Sequence, residues 1–359
     1  MSKKNSKSQL REWILAVFWA FLIALFIRVF VLEVSVIPST SMKGTIVEGD
    51  YIVLTKFNYG ARLPITPFAI PFCHKEIPYF GGKPYSEKYT SKYRRLPGIS
   101  SVNHNDIVVF NFPKEKGFAD RKEYFVKRCI GLPGDTLRMI NTKVLTNGEI
   151  LPEPAQIQFN YNILSPDERL GKEWMQKWNL NEGGRKNTTG LYQFVMSPTT
   201  ADSIQKEPFI KHIEKVTFDK GIIVNSESIY PYDVENFPWN IDNIGPLYIP
   251  QKGDSLEINE RNLPLYKTII EKFEKHTVTA INDSIFVDSI YCKKYPVEMD
   301  YYYVLGDNRH MSADSRFWGF VPEDHLIGKA SFLAFSVKPG LKWYHKGAIR
   351  WDRFLKKLK

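Results

Sequence analysis

One long apolar run near the start of the chain restricts its folding more than any other feature. Residues 13–27 contain no charged side chain, and residues 29–32 continue the run beyond Arg28. As a helix, residues 13–32 span about 30 Å, which is the thickness of one hydrocarbon core. Arg28 lies near the end of the run, where its long side chain can reach the lipid interface. The run therefore predicts a transmembrane anchor over residues 13–32, preceded by a short N-terminal segment at 1–12.

A cleaved secretory signal peptide is the alternative interpretation of this run. The apolar part of such a peptide is about 7–15 residues long and ends near a cut between small residues. The run in this chain is longer, and residues 33–38 after it contain no A-x-A pattern. We therefore favour an uncleaved anchor. No second apolar run of spanning length follows, so one crossing is expected.

The net charge of +10 is confined to the two ends of the chain. Residues 1–11 carry four basic side chains and no acid, and residues 342–359 carry seven basic side chains and one acid. The residues between are neutral in sum, which argues against a nucleic-acid binder, because its basic patch would lie on the folded domain. Basic ends, one of them beside an apolar run, favour membrane lipid instead. The basic N-terminus should stay in the cytoplasm, with the chain after Glu33 on the outer side.

Short β-like runs make up most of the chain after the anchor, which predicts a mainly β fold. The strands predicted from alternation and apolar runs are 33–38, 51–57, 106–112, 123–130, 301–305 and 327–337. Residues 60–105 are rich in Pro, Gly, Tyr and Lys without periodicity, which predicts a long loop. Residues 137–300 alternate short β-like runs with turn residues and predict an inserted β-rich cap. The main domain would then comprise residues 33–136 and 301–341.

The C-terminal tail, residues 342–359, has an amphipathic pattern. Trp351, Phe354, Leu355 and Leu358 fall at i, i+3, i+4 and i+7, with basic residues around them. This spacing predicts a basic amphipathic helix. Such a helix either contacts lipid or packs on the domain, and both interpretations stay open.

The cysteines do not form a metal-binding or redox motif. Cys73, Cys129 and Cys292 are the three cysteines, and the chain contains no CxxC. An odd number allows at most one internal disulfide, and the sequence leaves open whether Cys73 and Cys292 pair.

Lys127 is the most informative polar residue. In the strand predicted at 123–130 it shares a face with Phe125 and Cys129, while Arg128 points to the other side. Apolar neighbours lower the pKa of an amine from its reference of about 10.4, and a decrease of roughly three units would make it a general base near neutral pH. The alternative is a lysine that protects an edge strand against aggregation.

A nucleophile for such a base would be a serine. Ser41 lies in a turn rich in Ser and Thr, where serines are usually structural. A serine requires a base to become a nucleophile, and Ser–Lys pairs are one known solution. The polar segment 306–316 lacks the spacing of a calcium loop. Within it, Asp314 and Arg316 can pair, and the hydroxyl of Ser312 can bond a lysine amine.

Five segments, taken together and in order, carry a family resemblance. They are 37–42 (IPSTSM), 49–53 (GDYIV), 106–110 (DIVVF), 127–135 (KRCIGLPGD) and 306–316 (GDNRHMSADSR). With these segments and their spacing from the anchor, the chain resembles the type I signal peptidases. The resemblance implies a membrane-anchored β-barrel or sandwich domain that removes signal peptides from exported preproteins. It also implies cleavage after small residues, Ala-x-Ala-like, at the outer face of a bacterial plasma membrane.

The resemblance implies a role for each matching residue. Ser41 would be the nucleophile and Lys127 the general base, with no metal and no cofactor. The hydroxyl of Ser39 and the backbone N–H of Ser41 would form the oxyanion hole, and Ser312 would orient the lysine. Supporting roles fall to Arg128, Asp307, Asp314 and Arg316. Shallow substrate pockets would be lined by Ile37, Pro38 and Val126.

The chain departs from the pattern of the family at several positions. Thr40 stands where Gly is common, and Gly44 stands where Pro is common. A left-handed backbone at Thr40 would be strained by its β-carbon, which bears on the shape of the oxyanion hole. His310 and Met311 replace the commoner acid and amide. Two alternatives remain beside the family interpretation: a Ser–Lys peptidase with a narrower processing role, and a non-catalytic, membrane-tethered β module that binds extended peptides.

Overall fold

The computed structural model describes residues 6–71, 73, 76–166, 170–187, 190–222, 229–282 and 284–358, with side chains described from residue 9 onward. The α-helices are α1 (Ser6–Phe26), α2 (Lys172–Lys177), α3 (Pro198–Ile204), α4 (Leu263–Thr268) and α5 (Ser315–Trp318). The strands are β1 (Leu32–Val36), β2 (Asp50–Thr55), β3 (Ile107–Asn111), β4 (Tyr124–Gly131), β5 (Thr136–Ile140), β6 (Lys143–Thr146), β7 (Glu149–Ile150), β8 (Phe159–Leu164), β9 (Gly183–Arg185), β10 (Leu191–Met196), β11 (His212–Lys215), β12 (Ile244–Tyr248), β13 (Ser255–Glu257), β14 (Val278–Ile281), β15 (Ser284–Val287), β16 (Ile290–Tyr291), β17 (Lys294–Pro296), β18 (Tyr301–Leu305), β19 (Val321–Pro322) and β20 (Leu326–Ser336). The prediction of a mainly β fold is confirmed.

The apolar run forms a helix that leads directly into the first strand. A π-helical turn at Ile27–Val31 continues α1, and the segment long and apolar enough to cross a membrane is Gln9–Val31. None of that window is buried against the rest of the protein, as expected of a helix whose partner is lipid. Leu32, predicted as the last anchor residue, instead pairs with Thr55 as the first residue of β1. No linker therefore separates the helix from the sheet. Residues 1–5, which hold the basic residues Lys3 and Lys4, lie outside the described part of the chain.

A seven-stranded antiparallel sheet carries the segments that were predicted to hold the chemistry. Its strand order is β1-β2-β20-β3-β4-β18-β19, so all seven strands come from residues 32–131 and 301–336. The six strands predicted for this part of the chain all form, with ends shifted by at most two residues. Register shifts interrupt three of the pairings, and such bulges bend the sheet and increase its twist.

Apolar residues pack on both faces of this sheet. β3 is buried along its whole length because Val109 contributes to one core, and Val108 and Phe110 contribute to the other. The long connection between β2 and β3 forms no strand among its described residues and has only two isolated bridges, Arg62 with Arg95 and Ala69 with Tyr85. This agrees with the predicted loop at 60–105.

The described residues of 136–300 form four smaller sheets, two of which are the pair β13-β17 and the sheet β14-β15-β16. The sheet β12-β5-β6-β7 shares a core with the large sheet, because inserted residues such as Leu137 and Ile249 pack with Ile130 and Tyr303. The sheet β11-β8-β10-β9 packs with α2 and α3 around a core of its own. We call the described residues of 157–215 the β8–β11 unit.

The C-terminal tail contradicts the predicted helix. Only Trp351–Arg353 is helical, as a single 3₁₀ turn, and the chain then extends beside β20. The backbone N–H of Leu333 donates to Lys356 O at 2.8 Å, and that of Leu358 donates to Ser331 O at 3.0 Å. Leu358 is buried in the core while Trp351 is exposed, so the predicted apolar residues do not share one face. The tail follows β20 because this part of β20 extends beyond its pairing with β3.

The three cysteines all lie within the described residues, and each is a free thiol. Cys129 is buried, while Cys73 and Cys292 are partly exposed. The structure therefore contains no disulfide between Cys73 and Cys292.

Candidate active site

Ser41 and Lys127 meet at one side of the large sheet. Ser41 lies in a turn after β1, which is fixed by hydrogen bonds from Lys43 N to Thr40 O and from Ile46 N to Met42 O, both 2.9 Å. Met42 and Ile46 anchor this turn in the core, because both side chains are buried. Lys127 projects from β4, and its Nζ lies 2.7 Å from Ser41 Oγ. The two residues predicted as nucleophile and base are therefore in direct contact.

The amine of Lys127 has the environment that a neutral lysine requires. Lys127 as a whole is only 3% exposed. Burial lowers the pKa of Lys127 to about 8, while the carboxylates of Asp314 and Asp307 act in the opposite direction. Its other hydrogen bond goes to Val126 O at 3.1 Å, and the Phe125 ring lies on the same side, 5.5 Å from Nζ. With a pKa near 8, about one amine in ten is neutral at pH 7.

The residues around the predicted oxyanion hole lie at the open side of the turn. Ser39 Oγ is 3.3 Å from Ser41 Oγ and is exposed to the cleft. The backbone N–H of Asn308 donates to Ser41 O at 3.1 Å, and its Nδ2 donates to Thr40 O at 3.3 Å. Thr40 does not have a positive φ, so the strain considered for its β-carbon does not arise. Asn308 thus binds the carbonyl oxygens of Thr40 and Ser41, which lie on either side of the Ser41 amide in the chain.

Gly44, which replaces a common proline, is required by the inserted segment. Its φ is +103°, a backbone conformation that proline cannot adopt. A β-carbon at this position would lie 2.0 Å from the backbone oxygen of Gln156. At Gly44 the insert therefore approaches residues 39–46, the turn that carries the predicted nucleophile Ser41 (the nucleophile turn).

A buried ion pair joins β4 to the 306–316 segment. Arg128 donates from Nε and Nη2 to the two carboxylate oxygens of Asp307, each at 2.7 Å, and neither side chain is exposed. Asp307 Oδ2 also accepts the hydroxyl of Thr45 at 2.5 Å. Such a two-point pair fixes direction as well as distance. Since Arg128 directly follows Lys127, the pair holds Lys127 and the turn of Ser41 in one framework.

A second ion pair closes the same segment. Arg316 donates from Nε and Nη2 to Asp314, each at 2.8 Å, and both side chains are buried. Asp314 Oδ2 also accepts the backbone N–H of Gly306 at 3.0 Å. A β-carbon at Gly306 would lie 2.5 Å from Ser41 O, so only glycine allows this close passage. Asp314 and Arg316 therefore stabilise the segment, and neither forms a hydrogen bond with Ser41 among the described residues.

Ser312 is adjacent to the pair but does not bond the lysine. Its hydroxyl donates to Ala313 O at 3.5 Å, and no hydrogen bond to Lys127 forms among the described residues. A β-carbon built on Gly306 would lie 2.1 Å from Ser312 Oγ and 2.5 Å from Ser41 O, which places Ser312 beside the nucleophile's backbone. Its role in orienting the lysine stays a prediction.

A cleft of about 560 Å³ opens onto the two side chains. Ile37, Pro38 and Val126, the predicted pocket residues, line it. Its walls also include Ser35, Val36, Glu123, Tyr124, Phe125, Met311 and Ala313. Met311, one of the departures from the family pattern, is thus a wall residue of the cleft.

Contacts from the insert were not foreseen from the sequence. His310 Nε2 lies 3.0 Å from Asp242 Oδ1, and its Nδ1 accepts the backbone N–H of Asn160 at 3.1 Å. Glu182 lies within hydrogen-bonding distance of Lys43 and Asn308. No motif or spacing links these residues in the sequence. Among the described residues, no cluster of His, Cys, Asp and Glu is arranged to hold a metal ion.

Comparison with known proteins explains why the five segments occur together. The sequence profile of signal peptidase, peptidase S26, matches residues 10–204 and 248–335. The chain belongs to this family. It is 33% identical to Signal peptidase I of Rickettsia massiliae (strain Mtu5) over 345 residues, covering 96% of this chain and 85% of that protein. It is 28% identical to Signal peptidase I of Buchnera aphidicola subsp. Baizongia pistaciae (strain Bp) over 342 residues, covering 92% and 79%.

Membership of the family makes the chain a serine peptidase. The matched residues include the apolar helix, Ser41, Lys127 and the 306–316 segment, and so confirm the resemblance. They leave out 205–247, the part of the insert that contains Asp242. A solved structure of a signal peptidase I from Enterococcus faecalis V583 is 17% identical, covers 65% of this chain and 98% of that chain, and has a TM-score of 0.24.

Proposed function

We propose that this chain cleaves signal peptides from exported preproteins and that Ser41 and Lys127 are its catalytic dyad. The observation that carries the proposal is the 2.7 Å separation of Ser41 Oγ from a buried amine whose pKa is lowered to about 8. A neutral amine at this distance can accept the hydroxyl proton without an intervening histidine. Membership of the signal peptidase family supports the substrate class.

The proposed reaction is acyl transfer to Ser41. Neutral Lys127 takes the hydroxyl proton as Oγ attacks the scissile carbonyl carbon. The backbone N–H of Ser41 and the Ser39 hydroxyl stabilise the oxyanion, and the Lys127 ammonium then gives its proton to the leaving amine. Water, activated by the neutral amine, hydrolyses the ester and regenerates Ser41. The reaction requires no metal and no cofactor.

The walls of the cleft favour an extended substrate. β1 is an edge strand of the large sheet, and β18 pairs with β4 only from Arg128 onward. The edge of β1, continued by residues 37–38, and the edge of β4 at 124–127 therefore face the cleft, and neither has a strand neighbour on that side among the described residues. Extended peptides bind to such edges through main-chain hydrogen bonds. We propose that Ile37, Pro38 and Val126 form shallow pockets that favour small side chains before the cut.

The direct passage from helix to sheet supports action at a membrane surface. Ser41 follows Leu32 by nine residues, so it lies at most about 30 Å along the chain from the end of the helix. The apolar part of a signal peptide lies in the bilayer, and a short tether keeps the site beside it. We propose the outer face of a bacterial plasma membrane, because the basic residues before the helix favour the cytoplasm.

We also propose that residues 33–136 and 301–341 form the catalytic domain and that residues 137–300 form a cap inserted between its halves. The origin of all seven strands of the large sheet supports this division. Cleavage of several unrelated preproteins by the full chain tests the function, with Ser41→Ala as the inactive control. Cleavage of one preprotein alone would indicate the narrower processing role. Failure to cleave any of them would indicate a non-catalytic peptide binder.

A further inference from the structure

The β8–β11 unit reaches the nucleophile turn with a carboxylate. Glu182 directly precedes β9, and its side chain bridges two residues of the candidate site. Glu182 Oε1 lies 3.0 Å from Lys43 Nζ, and Glu182 Oε2 accepts Asn308 Nδ2 at 3.1 Å. None of these three side chains takes part in the bond-forming, bond-breaking or proton-transfer steps of the proposed reaction.

Both partners of Glu182 connect to the turn of Ser41. Lys43 belongs to that turn. Asn308 binds it from the 306–316 segment, since its N–H donates to Ser41 O and its Nδ2 donates to Thr40 O. The Asn308 side chain is fully buried, and those of Lys43 and Glu182 are 15% and 21% exposed. Charge-assisted hydrogen bonds that are this well shielded from water hold geometry better than exposed ones.

Glu182 is itself held in a rigid frame. Its carbonyl oxygen accepts the backbone N–H of Val195 in β10, at 3.1 Å. The same unit contacts the 306–316 segment through backbone hydrogen bonds, from Gln158 N to Asp307 O at 2.8 Å and from Arg309 N to Gln158 O at 2.9 Å. Because the unit has its own core, the carboxylate is a fixed point from which the turn can be positioned.

We propose that Glu182 is a positioning residue for the nucleophile, acting through Asn308 and Lys43. It holds the backbone of Thr40 and Ser41, and hence the Ser41 Oγ and N–H, in the geometry that the reaction requires. The inserted segment is then part of the catalytic apparatus. A small displacement of a reacting group is costly because the attack depends on distance and angle. The proposal rests on the Ser41–Lys127 dyad proposed above.

The test compares Glu182→Ala with Glu207→Ala in the full chain, purified in detergent, with a preprotein substrate. Glu207 is a matched control, because it belongs to the same unit, pairs with Lys177 at 2.6 Å and has a side chain that is 19% exposed. We expect Glu182→Ala to lower kcat by about 10- to 100-fold, with KM changed by less than about twofold and the thermal midpoint kept. Glu207→Ala should keep the kcat of the unmodified protein.

A conservative variant separates the two arms of the bridge. Glu182→Gln keeps an oxygen that accepts Asn308 Nδ2, but its amide N–H then faces the ammonium of Lys43. We expect a kcat between those of the unmodified protein and Glu182→Ala. Adding Lys43→Met removes the facing charge, so the double variant Glu182→Gln, Lys43→Met should be at least as active as Glu182→Gln alone. A double variant with a lower kcat than Glu182→Gln alone would overturn the arm of the proposal that acts through Lys43.

The proposal is overturned if Glu182→Ala keeps the kcat of the unmodified protein, or if Glu207→Ala loses as much. A loss confined to KM or to the thermal midpoint also overturns it, because that result would make Glu182 a substrate contact or a stabilising residue. Failure of the dyad is recognised separately, by cleavage in Lys127→Met. If that variant is inactive while Glu182→Ala is fully active, only the positioning role is lost.

Discussion

The Nζ atom of Lys127 lies 2.7 Å from Ser41 Oγ, although 86 residues separate the two in the chain. Two features bring them together. The core residues Met42 and Ile46 hold the turn of Ser41, and the Arg128–Asp307 pair fixes β4 against the segment that contacts this turn. The amine is buried by the same packing that positions it. Position and lowered pKa are therefore two consequences of one arrangement.

Removal of the amine should abolish cleavage without unfolding the protein. Lys127→Met keeps the length and packing of the side chain, so we expect kcat to fall by at least about 10³-fold while the thermal midpoint is maintained. Lys122→Met is a matched control. Lys122 is also buried, and its pKa is also lowered to about 8 by burial, but its Nζ lies 2.8 Å from His325 Nε2, away from Ser41. Preprotein cleavage by a folded Lys127→Met protein at the normal rate would contradict the account.

The activity should follow the titration of the lysine. Because the neutral amine is the reactive form and the pKa of Lys127 is lowered to about 8, kcat/KM should fall about tenfold for each pH unit below 8 and level off above it. The measurement is initial cleavage rates at low substrate concentration from pH 6 to pH 10. The Lys122→Met protein should show the same fall of kcat/KM below pH 8. A profile that is flat from pH 6 to pH 9, or a fall that disappears in Lys122→Met, would assign the titration to another group.

The hydroxyl of Ser39 should act on turnover and have little effect on binding. It lies 3.3 Å from Ser41 Oγ at the exposed side of the turn, where the developing oxyanion would sit. Loss of one such donor costs about 10² to 10³ in kcat. We expect Ser39→Ala to show this loss with KM nearly unchanged, and Ser39→Thr to recover part of it because the hydroxyl is kept. Equal turnover in Ser39→Ala and the unmodified protein would exclude Ser39 from the oxyanion hole.

The close approach of the insert at Gly44 should appear in both stability and activity. In Gly44→Ala, alanine must adopt the positive φ that glycine has at this position. Its β-carbon would also lie 2.0 Å from the backbone oxygen of Gln156. Gly148→Ala is a suitable control, since Gly148 also has a positive φ, of +87°, but no atom within 4 Å of the added carbon. Thermal unfolding should show a cost of about 1 kcal/mol for Gly148→Ala and a cost larger by several kcal/mol for Gly44→Ala. Equal costs would mean that the insert does not press on the nucleophile turn.

The strands of the large sheet and the position of Lys127 could be predicted because their signals are local. β4 was foreseen within one residue from its apolar run, and the alternation in it placed Lys127 beside Phe125, as found. Ser41 was identified only through the family resemblance, because a serine in a polar turn has no distinctive local pattern. The segments that carry the resemblance each combine a strand or turn with the side chains that it presents.

The contributions of the insert and the course of the tail could not be predicted, because both depend on contacts between distant residues. Glu182 and Asn308 are 126 positions apart in the chain, and no spacing in the sequence indicates that they are in contact. In the tail, the helical spacing of Trp351 and Leu358 was real, but pairing with β20 provided backbone hydrogen bonds and burial that a short surface helix could not. Tertiary pairing thus outweighed the local pattern.

The most direct test of the account is a titration of the Lys127 amine itself. Lysine labelled with ¹³C at Cε in the full chain, with Lys127→Met to assign the resonance, reports the pKa of this one group by NMR. The account predicts a pKa near 8 for Lys127 in the folded protein. A pKa near the ordinary value of about 10.4 would leave only about one amine in 2,500 neutral at pH 7, against about one in ten at a pKa near 8, and the proposed dyad would be wrong.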